Sequence, residues 1–296
     1  MRLILILFAQ CLLSNILIAQ TDFTWWNNKH NWDGVTSWTR YLKYSPGYFG
    51  PNALPVPDME KGSLCSETYL KLSTDFHFSK GDNTKALFCK FYYPVVRNKI
   101  AVESWCVPVE YYKMDTITRD LRFVRDKEAK GFASGDIYIA TLIQLLKKKQ
   151  YPELLLRIAL RTASGNKQAS ARFTDAPGYF FDLSVAKFLF KDTLKDISLK
   201  TYSMLGFYCW QTNLDNNPQN DALLYGVGGV LKSKNTALDI SASGYKGYLG
   251  DKDAPLICKF IITLSKKKFN YSFTFQKGIF SLKYNTFSFA TVFKIC

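Results

Sequence analysis

The sequence predicts an all-β protein, an antiparallel up-and-down transmembrane β-barrel of about twelve strands that follows a non-barrel N-terminal segment. Apolar and polar residues alternate in run after run of about ten residues, and aromatic residues make up 16% of the 296-residue chain. After residue 20, no stretch supplies the roughly 18 or more apolar residues of a spanning helix. Strands with one apolar and one polar face, in a chain without such a helix, are typical of outer-membrane barrels.

The alternation is clearest at the end of the chain. In Phe269–Gln276 every second residue is aromatic. Near the end of the chain, Phe287, Phe289, Thr291, Phe293 and Ile295 alternate with Ser288, Ala290 and Lys294. A period of two places alternate side chains on opposite faces of a strand. Because hydrocarbon cannot satisfy backbone N–H and C=O groups, strands with a lipid-facing side must close into a ring.

The first twenty residues form a separate region. Arg2 precedes the uncharged apolar run Leu3–Ile18, and Ala19 and Gln20 follow it. This order predicts a secretory signal peptide, residues 1–20, that is cleaved near Ala19. The mature chain is then exported, and amphipathic strands in an exported chain indicate the outer membrane of a Gram-negative cell.

Residues 21–63 do not read as barrel strands. They combine many Trp and Tyr residues with Asn, Gly and Pro, and they end in the proline-rich run Pro51–Pro57. So aromatic a segment is unlike a free linker. We expect it to dock as a plug inside the barrel or as a periplasmic cap, with Val35–Leu42 as a short helix.

Residues 64–296 form the predicted barrel. The predicted strands are 67–79, 85–96, 99–111, 135–146, 153–163, 179–189, 198–212, 219–232, 236–248, 255–265, 269–278 and 284–295. The third of these fits least well, because it contains Pro108 and has mixed faces. Short and long connections alternate along most of the chain, and barrels have short periplasmic turns and longer external loops. We therefore expect both termini of the barrel on the periplasmic side.

The formal charge of +15 raises the question of nucleic-acid binding. The basic residues cluster between strands, at Lys147–Lys149, at Lys232 with Lys234, and at Lys266–Lys268. Export removes nucleic acid as a partner, so solvated turns at the membrane rim are the better interpretation. The expected neighbours are outer-membrane lipid and lipopolysaccharide.

Alternation also assigns the faces of the strands. Leu156 and Ile158 are expected to face lipid, whereas the charged residues between apolar ones face the lumen, since a charge in lipid is costly. The predicted lumenal residues are Arg157, Arg161, Asp182, Asp136, Tyr138, Lys90, Glu103, Lys259 and Lys294. Two interpretations stay open: these residues form a selectivity surface, or Arg and Asp pair across strands and fill a narrow barrel. Met114–Ser134, a charged external segment, folds inward as a constriction or remains a solvated loop.

Candidate catalytic and metal-binding residues are few. His77 and Ser79 share a strand face, a spacing that resembles that of outer-membrane lipid hydrolases, but the apolar neighbours Phe76 and Phe78 occupy the lipid-facing side. The pair should therefore face the lumen. Cys89, Cys209 and Cys258 fall on apolar faces, and the cysteines of the mature chain are scattered singly, so neither a disulfide framework nor a zinc site is indicated. No cofactor is predicted.

The middle of the chain resembles a known family of outer-membrane channels. Gly135-Asp136-Ile137-Tyr138 opens a strand, a tight turn leads to Pro152, and Arg161–Asn166 is followed by Asp175 and Gly178. This order resembles the channel family named for the MetA pathway of phenol degradation, over roughly residues 130–190. The resemblance implies a transporter of small, often hydrophobic compounds. Ala163 stands where that family usually has Pro, and the aromatic N-terminal segment is not part of its pattern.

These observations lead to one main hypothesis, a passive channel or transporter for a small solute that is hydrophobic or anionic. A plugged barrel with a structural or anchoring role is the first alternative. An outer-membrane lipid hydrolase that uses His77 and Ser79, and a soluble periplasmic β-protein, are further ones.

Overall fold

A ring of twelve antiparallel strands is the main feature of the structure, a computed structural model that describes residues 22–148 and 150–295. The described residues contain thirteen strands, of which all but β4 belong to the ring: β1 (Thr68–Ser79), β2 (Asp82–Val96), β3 (Ile100–Met114), β4 (Lys130–Ala133), β5 (Tyr138–Leu146), β6 (Glu153–Arg161), β7 (Gly178–Asp192), β8 (Ile197–Gln211), β9 (Gln219–Ser233), β10 (Thr236–Gly247), β11 (Leu256–Ser265), β12 (Phe269–Phe280) and β13 (Asn285–Ile295). The helices are α1 (Thr24–His30) and α2 (Thr116–Leu121), with 3-10 turns at Trp38–Tyr41 and Gln168–Ser170.

The ring closes between the first and last strands. β1 pairs with β13 over eleven residues, from Thr68 opposite Ile295 to Phe78 opposite Asn285. Every other ring strand pairs with its sequence neighbours, except that β3 pairs with both β2 and β5. Closure gives each of the twelve ring strands a neighbour on both sides, so the ring itself has no open edge. The predicted all-β, up-and-down barrel is confirmed.

Alternation divides the residues of the last strands between the two faces of the ring. Phe287, Phe289 and Phe293 of β13 expose 38%, 57% and 40% of their surface on the outside, whereas Thr286 and Ala290 are buried on the inside. Across the outer face, the rings of β12 and β13 contact each other with centroids about 5 Å apart. Such cross-strand aromatic pairs stabilise a sheet, and here they form part of a continuous apolar band.

The structure adds one strand that the sequence analysis missed. β4 pairs with Glu110–Lys113 of β3, and β5 pairs with Ile100–Trp105 on the same side of β3. The strand that was predicted to begin at residue 135 therefore begins at Tyr138, and residues 134–137 interrupt the pairing along β3 between β4 and β5. At the interruption, the Gly165 N–H donates to Asp136 Oδ1 at 2.7 Å, which ties the chain to the β6–β7 loop instead of the ladder. The mixed faces of β3 correspond to a bulge in its pairing with β2.

The two ends of the ring differ in the length of their connections. At the short-turn end, the connections are residues 97–99, 147–152, 193–196, 234–235 and 266–268. At the loop end, they are residues 80–81, 115–137, 162–177, 212–218, 248–255 and 281–284. This is the predicted order of short and long connections, and the described residues of the predicted basic clusters lie at the short-turn end.

Residues 51–64, which we call the inner segment, run through the ring. Hydrogen bonds from the ring and its loops follow the segment and its two flanks in chain order. They join the Gly50 N–H to the Ala171 carbonyl (2.9 Å), Tyr245 Oη to the Leu54 carbonyl (2.8 Å), Arg157 Nη2 to the Asp58 carbonyl (2.6 Å), Gln144 Nε2 to the Gly62 carbonyl (2.8 Å) and Tyr92 Oη to the Cys65 carbonyl (2.9 Å). The partners lie progressively nearer the short-turn end, so the chain makes a single pass.

The direction of this pass bears on the expectation that both termini of the barrel lie on one side. β1 does begin at the short-turn end, as predicted for a barrel with both termini on one side. The chain that precedes β1, however, enters the ring from the loop end, where residues 37–50 lie. Alternation within the strands carries no information about a segment that has no partner strand, which is why the route was not predictable from the strand pattern.

Residues 22–36 belong to a separate compact unit. Within it, α1 ends at Asn31, whose left-handed φ of 50° is a common way to terminate a helix. Asp33 Oδ1 accepts hydrogen bonds from the backbone N–H groups of Val35 and Thr36, which forms a tight turn. The sequence analysis missed α1, and the helix predicted over Val35–Leu42 is a single 3-10 turn, Trp38–Tyr41. The predicted signal peptide lies outside the described residues.

Within the described parts of the chain, no helix is long and apolar enough to cross a membrane. The cysteines described, Cys65, Cys89, Cys106, Cys209 and Cys258, are all free thiols.

The outward position of Leu205 gives a test of the lipid-facing band. Leu205 lies in the middle of β8 and is 61% exposed. In lipid vesicles, we expect Leu205→Lys to lower the free energy of unfolding by about 2–4 kcal/mol, because a lysine near the bilayer midplane is that costly. Urea titration measures the change.

Leu121→Lys is the matched control. Leu121 is 62% exposed, and it belongs to α2 in the connection between β3 and β5 and not to a strand of the ring. We expect it to change the free energy of unfolding by less than about 0.5 kcal/mol. Equal effects of the two substitutions would contradict a hydrocarbon-facing surface at Leu205.

Candidate functional site

The inner segment leaves part of the lumen open as a cavity of about 200 Å³. On one side, Leu54 and Val56 pack against the buried aromatic rings of Phe180, Tyr208 and Tyr245. On the other side, the cavity is lined by polar and apolar residues of β1, β2, β3 and β11–β13 together with Pro55–Asp58. The inner segment is thus one wall of the cavity.

The sequence of the inner segment suits a chain without a partner strand. Pro51, Pro55 and Pro57 have no backbone N–H, so three donors that a neighbouring strand would otherwise have to satisfy are absent. Its carbonyls accept hydrogen bonds from side chains of the ring instead. Close approach is helped at Gly226 of β9, where an added Cβ would lie 2.6 Å from Met59 Sδ.

Two buried arginines of β6 hold the segment. Arg157 donates to the Asp58 carbonyl at 2.6 Å, to Glu60 Oε1 at 3.1 Å and to Asp182 Oδ2 of β7 at 2.8 Å. Arg161 donates to the Ala53 carbonyl at 2.8 Å and to the Ala176 carbonyl at 2.9 Å. Because the cost of burying a guanidinium is offset only when its donors are satisfied, these contacts fix the position of the segment.

The predicted lumenal residues therefore divide into two groups. Arg157, Arg161 and Asp182 lie on the lumenal face, as their strand positions predict, but they are 2% exposed or less and their bonds are made within the protein. Arg157 and Asp182 do pair directly across β6 and β7. These residues build the wall of the lumen, and Arg157, which also lines the cavity, is held by its bonds to Asp182 and to the inner segment.

The second group faces the cavity and is mainly lysine. Lys90 pairs with Glu103 at 2.6 Å, and Lys259 pairs with Asp58. Lys71 lies over the Phe88 ring, with its Nζ 5.4 Å from the centroid, and has no ion-pair partner among the residues that the structure describes. Asp58 keeps 57% of its side chain exposed inside the ring, which indicates that water reaches this region.

Two of these residues are absent from the predicted set. Strand alternation places Lys71 on the lumenal face, but the sequence analysis did not include it among the selectivity residues. Asp58 precedes the predicted barrel, and its position follows only from the path of the inner segment. The signal for it was the proline run that ends at Pro57, because such a run favours an extended chain.

Asp136, Tyr138 and Lys294 also lie on the inside. Asp136 lies 4.0 Å from Arg161, and burial raises the pKa of its carboxyl above the usual value while the Arg161 charge opposes the shift. Tyr138 stacks on Trp105 with ring centroids 4.9 Å apart. Lys294 pairs with Glu67 at 2.8 Å, at the short-turn end and away from the cavity. Of the three, Asp136 and Tyr138 line the cavity.

A buried ionic network closes the cavity at the loop end. Asp82 Oδ2 accepts hydrogen bonds from Arg122 (2.6 Å), Arg172 (2.9 Å) and Tyr284 (2.5 Å), and Arg172 also donates to Glu110 (2.7 Å). Burial raises the pKa of Tyr284, so its hydroxyl stays protonated and can donate. Arg122 belongs to the charged segment Met114–Ser134, which therefore folds inward at this residue.

Aromatic rings close the other side. Tyr69 and Tyr92 stack with ring centroids 4.8 Å apart, one inward-facing position from Lys71 and Lys90 toward the short-turn end. Tyr92 Oη donates to the Cys65 carbonyl, so this stack is joined to the flank of the inner segment.

His77 and Ser79 bond to different partners. His77 is buried on the lumenal face, as predicted, and its Nδ1 lies 2.8 Å from Thr286 Oγ1. The Ser79 hydroxyl donates to the Asp82 carbonyl at 3.2 Å. Within the described residues, no group of three or more His, Cys, Asp or Glu side chains is placed to hold a metal ion.

Comparison with known proteins finds similarity in fold to solved structures and no match in sequence to a family model or a curated protein. The resemblance to the phenol-pathway channel family therefore stays a prediction. Among solved structures, an outer membrane channel from Pseudomonas putida F1 is 9% identical, with a TM-score of 0.52, and the match covers 81% of this chain and 98% of that one.

Two further solved structures match with lower TM-scores. The KdgM porin is 8% identical, with a TM-score of 0.44 over 76% of this chain and 99% of that one. The CymD monoaromatic hydrocarbon channel is 8% identical, with a TM-score of 0.39 over 78% and 89%. At such identities the likeness is one of fold, and the closed twelve-strand ring is that of an outer-membrane β-barrel. The outer membrane is the location of this protein.

Proposed function

We propose that the protein is an outer-membrane channel for small solutes, closed in this conformation by residues at both ends of its cavity. The observation that carries the proposal is a water-accessible cavity with charged lining inside a closed ring of twelve strands. A polar interior within a lipid-facing ring is the arrangement through which passive channels conduct. The resemblance seen in the sequence and the fold of the Pseudomonas putida channel support the same class of function.

The lining favours a small solute that carries negative charge or an apolar ring. Lys71 supplies a positive charge that no neighbouring carboxylate within 4.0 Å neutralises among the described residues. Trp105, Tyr138 and Phe180 supply aromatic surface on the other side of the cavity. A volume of about 200 Å³ is below that of the pockets that hold drug-sized ligands, so the solute is small.

A plugged barrel with a structural or anchoring role is the second candidate. The observation that favours it is the number of buried side chains that bind the inner segment, Arg157, Arg161 and Tyr245 among them. Each bond must be lost before the segment can leave. A lipid hydrolase receives no support, because His77 lies inside the ring while a lipid substrate would lie outside it.

The surroundings of the barrel follow from its surface. Outer-membrane lipid is the proposed partner of the apolar band, and lipopolysaccharide is the proposed neighbour at the loop end. The basic short turns suit anionic head groups of the opposite leaflet. None of these partners is required for the channel itself.

Deleting residues 22–63 tests whether the ring can conduct at all. Because the inner segment occupies much of the lumen, we expect the deletion to increase single-channel conductance in planar bilayers at least severalfold over the full-length chain. Heat-modifiable migration on a gel checks that the deleted protein still forms a barrel. If a correctly folded deletion variant conducts nothing, the channel is excluded and the structural role is favoured.

Lys71→Gln tests the selectivity. A unit charge about 8 Å from a permeating ion in water contributes about 0.5 kcal/mol, so its removal should reduce the ratio of chloride to potassium permeability about twofold. Reversal potentials in a potassium chloride gradient measure the ratio, in the full-length chain and in the 22–63 deletion. Lys234→Gln, in the β9–β10 turn, removes the same charge away from the cavity and should leave the ratio unchanged. An unaltered ratio in Lys71→Gln would contradict the proposed role of this lysine.

A further inference from the structure

The path of the chain before β1 determines at which end of the barrel the residues before the inner segment lie. The residues that bind the chain between Gly50 and Cys65 come from successive depths of the ring. Ala171 lies in the β6–β7 loop, Arg157 in the middle of β6, and Tyr92 near the short-turn end of β2. The segment therefore crosses the whole thickness of the barrel once, and its two flanks lie at opposite ends.

The flank that precedes the inner segment is built into the loops. The Leu42 carbonyl accepts a hydrogen bond from Asn213 Nδ2 of the β8–β9 loop at 2.8 Å. Ser45 Oγ donates to the Asp251 carbonyl of the β10–β11 loop at 2.5 Å. Leu42 and Phe49 are 1% exposed or less, so residues 37–50 are a packed part of the loop end.

The loop end is the external end of the barrel. Outer-membrane barrels have short periplasmic turns and longer external loops. Here the connections at one end are six residues or fewer, whereas the other end includes the connections 115–137 and 162–177. The start of β1 and the end of β13 both lie at the short-turn end, which is where a barrel with an even number of ring strands places them.

We propose that the protein carries its own N-terminal segment outward through the ring and displays it on the cell surface, with residues 37–50 as part of the external face. This inference does not rest on channel function, because a barrel that conducts nothing would still have this topology.

An epitope tag tests the proposal in intact Gram-negative cells that express the full-length chain. We expect a tag inserted between Thr36 and Ser37 to bind antibody on intact cells, as strongly as a tag in the β8–β9 loop after Asn216. A tag in the β9–β10 turn, between Lys234 and Asn235, should bind only after the outer membrane is permeabilised. Heat-modifiable migration confirms that each tagged chain has formed a barrel.

Two single-cysteine variants give the same comparison without an insertion. Ser37 is exposed at the loop end, and Asn235 is exposed at the short-turn end. A membrane-impermeant maleimide should label Ser37→Cys on intact cells above the level of the unmodified chain, and should label Asn235→Cys only after lysis. The proposal is overturned if the N-terminal tag and Ser37→Cys become reactive only after permeabilisation. It is equally overturned if the β9–β10 sites react on intact cells. Since neither readout measures conductance, failure here is distinct from failure of the proposed channel.

Discussion

The hydrogen bonds from two arginines of β6 to the backbone of the inner segment are the interaction on which the arrangement of the lumen depends. Arg157 and Arg161 are buried, and their donors are directed to the carbonyls of Asp58 and Ala53. A guanidinium in such a position is stable only while these acceptors are present, and loss of a partner for a buried charge costs about 3–5 kcal/mol. Both the wall of the ring and the path of the segment therefore depend on the same bonds.

This constraint explains why the lumen has two kinds of charged residue. On the side of β6 and β7, the charges are paired within the protein and hold the chain in place. On the side of β1, β2 and β11, Lys71 and Asp58 remain accessible within the cavity. The outside of the ring follows a different rule, because hydrocarbon cannot solvate charge and only apolar side chains form the band. Alternation along each strand meets both requirements, because it directs one set of side chains into the lumen and the other set to the apolar band.

Much of the barrel was predictable from the sequence, because alternation is a local pattern within each strand. A strand with one apolar face repeats every two residues, so the predicted bounds of ring strands such as β8 and β12 agree with the structure to within a few residues. β4 was missed because four residues are too few for a periodic signal. The bulge in β3 lies at Val107–Pro108, and Pro108 was its signal in the sequence, because proline is confined to edges and bulges of sheets.

The lumenal arrangement was predictable only in part. Alternation correctly placed Arg157, Asp182 and Lys90 on the inner face. It did not indicate which of these would be saturated, because their partners come from distant parts of the chain: Ala53 and Arg161 are 108 residues apart. The aromatic content of the N-terminal segment predicted that it docks, whereas its direction through the ring depends on the sum of such distant contacts.

Photo-crosslinking at Met59 tests the central claim most directly. Met59 packs over Gly226 of β9, and the chain has only four methionines, of which Met204 lies in the wall of the lumen as an internal reference. After incorporation of photo-methionine and irradiation in native outer membranes, mass spectrometry should find Met59 joined to peptides that contain Gly226 or Ser243. If Met204 forms adducts within the barrel while Met59 reacts only with lipid or with other proteins, the segment does not lie inside the ring.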